Sequence, residues 1–185
     1  MMQELSLNVL DVAQNSVRAD ASLICIEVDE QPKNDWLTIT ISDNGCGMTA
    51  KQISQVTDPF YTTRTTRKVG LGVPFFKMAA ELTGGALNID SQLGNGTTVT
   101  ASFGLSHIDR MPLGDMAGTV CTLIQCNPDV DFVYTRRYGE RSFSADTREF
   151  RKTLGDIPLQ TPEVLRFIGE FIRENSAEIQ SQCDK

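Results

Sequence analysis

The alternating run Leu37-Thr-Ile-Thr-Ile-Ser42 leads into Asp43-Asn44-Gly45-Cys46-Gly47-Met48, and no other stretch restricts the fold as much. Period-two alternation reads as a half-buried strand with Leu37, Ile39 and Ile41 facing inward. A carboxylate at the strand end, followed by two glycines one residue apart, makes a compact turn where a flat polar ligand can approach backbone. Asp43 would accept a hydrogen bond from an exocyclic amine such as the N6 amine of adenine, and the glycines would leave room for the ring. Asn-Gly turns also close ordinary strands, so the meaning of this one rests on its neighbours.

The helix expected over Glu4–Ala19 carries a polar stripe. Glu4, Asn8, Asp11, Asn15 and Arg18 recur at spacings of four, three, four and three, while Leu5, Val9, Leu10, Val12, Ala13 and Val17 cover most of the remaining surface. A helix apolar over so much of its circumference is buried, and its stripe needs partners within the protein or on a ligand. Asp11 and Asn15, one turn apart, present a carboxylate and an amide oxygen to the same point.

Further along, Ser22–Val28 and Trp36–Ser42 read as strands joined by a polar loop over Asp29–Asp35, and a short helix is expected over Thr49–Val56. Residues 57–69 are irregular, broken by Pro59, and Thr62–Lys68 carries three positive charges and four threonines. Gly70-Leu71-Gly72 opens an apolar helix, Val73–Leu82, with Pro74 tolerated in its first turn. Ala86–Ser91 and Thr97–Phe103 read as strands around the turn Leu93-Gly94-Asn95-Gly96. After a linker over 104–117, Thr119–Gln125 and Phe132–Arg137 read as strands, and Tyr138-Gly-Glu140 turns into Arg141–Ala145. A helix is expected over Thr147–Leu154. A clearer one follows Thr161 and Pro162, with Val164, Leu165, Ile168, Phe171, Ile172 and Ile179 on one face.

Composition narrows the function classes. The net charge of −7 argues against nucleic acid, which attracts clustered Lys and Arg. No apolar run approaches the roughly 18 residues of a membrane span, and the start Met-Met-Gln-Glu lacks the marks of a signal peptide. Five cysteines without a C-x-x-C pair, and a single histidine, His107, make disulfide frameworks and zinc clusters poor readings. Cys25 and Cys121, both in expected strands, read as small buried hydrophobes. The cytoplasm fits these features. Arg136, Arg137, Arg141, Arg148, Arg151 and Lys152 outnumber the acids of residues 132–152, which suits either a partner-facing surface or a charged strand edge.

The order of polar-striped helix, D-x-G-x-G, basic Thr-rich loop, G-L-G helix and G-x-G-T strand resembles the GHKL superfamily of gyrase, heat-shock chaperone, histidine kinase and mismatch-repair ATPases, over about residues 4–103. The resemblance implies an α+β class: a Bergerat-fold two-layer α/β sandwich, its mixed and mostly antiparallel sheet covered by helices on one face. Residues 1–105 would form that ATP-binding domain. Residues 106–185 would add a C-terminal extension, a β-hairpin with helices, with packing on the same sheet left open. The resemblance implies ATP and Mg²⁺ as cofactors. Asn15 would hold the magnesium, a hard cation suited to an amide oxygen and phosphates. Asp43, Gly45, Gly47 and Met48 would form the adenine box, and Thr97 would support Asp43. Phe60 resembles the aromatic element of the lid. Arg64, Arg67 and Lys68 would neutralise phosphates, and Gly70, Leu71 and Gly72 would present backbone amides to them.

Two departures stand out. Many members place a glutamate four residues before the magnesium-binding asparagine, where this chain has Asp11, a shorter carboxylate and the candidate catalytic base. Glu4 is too distant to replace it, about 10 Å further along the helix. Lys68 stands where a glycine is usual. The phosphoacceptor histidine of a sensor kinase is not found ahead of the domain, and His107 reads as an ordinary loop histidine. The chain is similar in size to anti-sigma-factor serine kinases. Two functions remain open from sequence: an ATPase or protein kinase acting on a separate protein partner or phosphoacceptor, and an ATP-sensing switch that binds a partner with little turnover. A homodimer is compatible with both.

Overall fold

The computed structural model describes residues 4–56 and 72–181. Six strands form one sheet in the order β3-β4-β2-β1-β5-β6: β1 (Leu23–Gln31), β2 (Trp36–Asp43), β3 (Leu87–Gln92), β4 (Gly96–Gly104), β5 (Asp131–Tyr138) and β6 (Arg141–Asp146). All neighbours pair antiparallel except β1 and β5, which run parallel with Ile24 opposite Phe132. The alternation foreseen for β2 holds: Leu37, Ile39 and Ile41 are buried, as are Ile24, Ile26 and Val28 beside them. Thr38, Thr40 and Ser42 point to the other face and are half-buried. One face of the sheet is therefore apolar and covered, as the α+β reading requires.

The covering helices are α1 (Leu5–Arg18), α3 (Gly72–Glu81), α4 (Met116–Cys126) and α6 (Pro162–Ser181), joined by the shorter α2 (Ala50–Val56) and α5 (Thr147–Leu154). A single apolar core unites Val9 and Val12 of α1, Phe76 of α3, Leu123 of α4 and Ile168 of α6 with the sheet. Fully burying each such side chain is worth about 1.5–3 kcal/mol. The first turn of α1 has no side-chain cap. Its orphan amides are met by the later linker instead, Leu5 N–H donating to the Pro112 carbonyl at 3.0 Å and Ser6 N–H to Leu113 at 2.9 Å.

The structure corrects the sequence reading in two places. Thr119–Gln125 is not a strand but the body of α4, so Cys121 lies on a helix. Its β-branched, apolar composition suited either element. The helix wins because Met116, Val120, Leu123 and Ile124 then share one buried stripe, and because the Asp115 carboxylate caps it, accepting from Gly118 N–H at 2.9 Å. β1 also runs further than expected, through Gln31, and only Pro32–Asn34 form a helical turn before β2.

The basic residues of 132–152 have partners. Arg136 is buried and donates to Glu30 at 2.7 Å. Arg137 pairs with Glu27, Arg148 with Asp146, Arg151 with Asp131 and Lys152 with Glu149. Two of these acids lie on β1, distant in sequence, so the local excess of positive charge is largely neutralised.

Candidate functional site

The end of β2, the end of α1 and the starts of β4 and α3 converge at one end of the sheet. Asp43 is the centre of this arrangement. Its Oδ1 accepts from the N–H of Gly45 at 2.9 Å and from the N–H of Thr97 at 3.3 Å. Its Oδ2 accepts from the Ser16 hydroxyl at 2.5 Å. A carboxylate offers about four lone-pair positions. Among the described residues three are taken, both on Oδ1 and one on Oδ2, which leaves the fourth on the Oδ2 of a half-buried group. The side chain is thus held in one orientation with a single acceptor position to offer.

The glycines around it have a packing reason that the sequence did not show. A Cβ on Gly45 would lie 2.6 Å from the Ala19 carbonyl oxygen, and one on Gly47, whose φ is +67°, would overlap the carbonyl oxygen of Gln92. Close backbone packing of the turn against the end of α1 and against β3 requires them. The turn is tied down further by Cys46 N–H to Ala19 at 2.8 Å and by Asn44 Oδ1, which accepts from Ser22 and Leu23 N–H. Gly96, with φ +86°, likewise lets β4 approach the Asp43 backbone.

Ser16 and Ser91 were missed by sequence reasoning. Ser16 was legible only as a polar residue on the apolar side of α1, where it is 5% exposed. Ser91 Oγ accepts from Met48 N–H at 2.8 Å, donates to the Gly96 carbonyl at 2.9 Å and lies 2.8 Å from Thr97 Oγ1. Thr97 therefore supports Asp43 through its backbone, while its hydroxyl joins Ser91.

On α1, Asp11 and Asn15 are exposed on one face. Asp11 faces the start of α3: a Cβ added to Gly72 would lie 2.8 Å from the Asp11 Cβ. Asn15 Oδ1 accepts from Arg18 Nη1 at 3.1 Å, so the oxygen chosen as a metal ligand already sits against a cation. Asn8, read as part of the same stripe, is fully buried. Glu4 lies at the far end of the helix, accepting from Ser6. Phe60, Arg64, Arg67, Lys68, Gly70 and Leu71 fall outside the described residues. His107 is remote, lining a depression of about 310 Å³ with Asn34, Trp36, Thr83 and Gly84 at the opposite end of β2 and α3.

The donor set suits a nucleotide with a bound cation: an acceptor for an amine at Asp43, and an exposed amide and carboxylate one turn apart on α1, the amide oxygen held by Arg18. Among the described residues, no group of three or more His, Cys, Asp or Glu is placed to hold a metal by itself, so a cation here would rely on ligand oxygens and water. Residues 1–107 match the family described as histidine kinase-, DNA gyrase B- and HSP90-like ATPase. The chain belongs to that family. The matched residues include β1–β4, α1, α3 and the turn at Asp43; β5, β6 and the later helices lie beyond them.

Similar proteins include the sensor histidine kinase RcsC of Salmonella typhimurium, 26% identical over 140 residues, covering 66% of this chain and 15% of RcsC. The sensor protein SrrB of Staphylococcus aureus is 34% identical over 102 residues, covering 52% of this chain and 17% of SrrB. The chain thus spans about a sixth of the length of these curated relatives. The crystal structure of the N-terminal domain of a DNA repair protein superposes with a TM-score of 0.55 at 15% identity, over 78% of this chain and 52% of that one, a likeness of fold. No helix among the described residues of this ATPase-family chain is long and apolar enough to cross a membrane.

Proposed function

We propose that this chain binds Mg-ATP between α1, the Asp43 turn and the start of α3, and uses it on a separate protein partner as a slow ATPase or protein kinase. The observation that carries the reading is the Asp43 carboxylate, held by three donors with one acceptor position left. Adenine offers an amine to that position and guanine a carbonyl, so adenine is selected. Asn15 would supply the protein oxygen to Mg²⁺, which neutralises phosphate charge when bound. Arg18, released from Asn15, would remain beside the phosphates, joined by Arg64, Arg67 and Lys68. Asp11, one turn before Asn15, would accept a proton from water or an acceptor hydroxyl.

A second reading, an ATP-sensing switch with little turnover, is favoured by two features of α1. Asp11 is a methylene shorter than the glutamate usual at that position, and Arg18 occupies the Asn15 oxygen. Both readings place the protein in the cytoplasm with an unidentified partner.

Calorimetry and phosphate release test the pair together. Asn15→Ala should weaken Mg-ATP at least tenfold while affecting metal-free ADP less; unchanged Mg-ATP affinity would remove Asn15 from the site. Asp11→Asn should lower turnover about 10²-fold or more with binding retained if Asp11 is the base. Brisk hydrolysis unaffected by that substitution would exclude both the base and the silent switch.

A further inference from the structure

Asn8 is a buried polar residue of α1 that the site does not yet use. Its side chain is 0% exposed, and among the described residues neither Oδ1 nor Nδ2 has a hydrogen-bond partner. A carboxamide buried with its donor and acceptor both unpaired destabilises the state that contains it, because it has lost water and gained nothing. An apolar residue of the same size would serve that state better.

Its place on the helix connects it to the site. At 100° per residue, Asn8 falls between Asp11, which abuts α3 at Gly72, and Val12, which is in the core. It therefore lies on the α3 side of α1. The two helices run in opposite directions. α1 ends at the Asp43 turn, to which Ser16 donates, whereas α3 begins at Asp11 and leads to Thr83, whose hydroxyl accepts from Gly104 N–H at the far end of β4. A ligand that engaged Asp43 and the start of α3 would therefore touch both elements that border the Asn8 amide.

We propose that Asn8 is a positioning residue for nucleotide: its carboxamide becomes paired when Mg-ATP resets the packing of α1 against α3, so that seam packing and nucleotide affinity are coupled. The proposal rests on the ATP reading above. It assigns to α1 a further role, beside the proton acceptor, the metal ligand and the Ser16 support of Asp43, that acts through helix position and does not touch the ligand.

Asn8→Leu, close in size and without polar atoms, tests it, with Asn8→Ala as a second variant should leucine fail to pack. Three quantities are read on the full chain: the unfolding midpoint without nucleotide, the Kd for Mg-ATP by calorimetry, and the hydrogen-exchange protection of residues 5–18 and 72–81 that Mg-ATP induces. The expected result for Asn8→Leu is a nucleotide-free midpoint at or above that of the wild type, a Kd weakened at least tenfold, and loss of the induced protection. A variant that folds and binds Mg-ATP within twofold of the wild type overturns the proposal. So does strong destabilisation of the nucleotide-free protein by both variants, since the amide would then be paired already. If the wild type itself takes up no Mg-ATP, the ATP reading fails first, and that failure is seen before any variant is made.

Discussion

The substitution Asp43→Asn separates the ligand role of the carboxylate from its structural one. The two N–H donors on Oδ1, from Gly45 and Thr97, are backbone groups that cannot reverse. The oxygen of the new carboxamide must therefore stay in the Oδ1 position, which forces its NH₂ into the position of Oδ2. The Ser16 hydroxyl can turn and accept from it, so the turn keeps its pattern with neutral bonds in place of charge-assisted ones. Charge-assisted bonds are roughly twice as strong. The fold should lose about 1–2 kcal/mol, or roughly 2–8 °C in Tm for a chain of this size. The ligand loses more, because the acceptor position left on Oδ2 becomes a donor facing the adenine amine. A hydrogen bond to a charged group is worth about 1.5–3 kcal/mol, which predicts ATP and ADP binding about 10- to 150-fold weaker. Calorimetry on the folded variant measures this directly. ATP affinity within about twofold of the wild type, with the Tm lowered only a few degrees, would refute the assignment of Asp43 to the base.

Two further substitutions test the packing. Gly47→Ala combines a left-handed φ with a Cβ that overlaps the Gln92 oxygen, and should cost about 3 kcal/mol or more in denaturant unfolding; Gly94→Ala, at φ +80° with nothing within 4 Å, should cost only the conformational part, about 1–2 kcal/mol, and equal losses would refute the contact with β3. Burial pushes the Tyr134 phenol from 10.0 up to about 12, so the folded state favours its neutral form; that stability is fully present below pH 10 and is lost as pH rises from 10 to 12. The loss amounts to about 2–3 kcal/mol, and Tyr134→Phe should abolish it. An equal drop between pH 9 and pH 11.5 in variant and wild type would show that Tyr134 is not the cause.

Local patterns determined the N-terminal half. The period-two run Leu37–Ser42 made β2, the 3.6-residue stripe made α1, and Gly70-Leu-Gly72 marked the start of α3, since each signal lies within a few residues of the element that it specifies. The carboxylate at Asp43 was legible for the same reason. Tertiary structure alone decided what holds that carboxylate, because Ser16 and Thr97 reach it across 27 and 54 residues, and no local spacing encodes such contacts. It also decided that Gly45 and Gly47 serve backbone packing, a requirement set by Ala19 and Gln92. In the second half, β5 joins β1 in parallel, and Arg136 and Arg137 find their acids on β1. The run Thr119–Gln125 became a helix because its apolar side meets α1, α6 and the sheet. Its composition suited strand and helix equally, and only burial against distant elements chose between them.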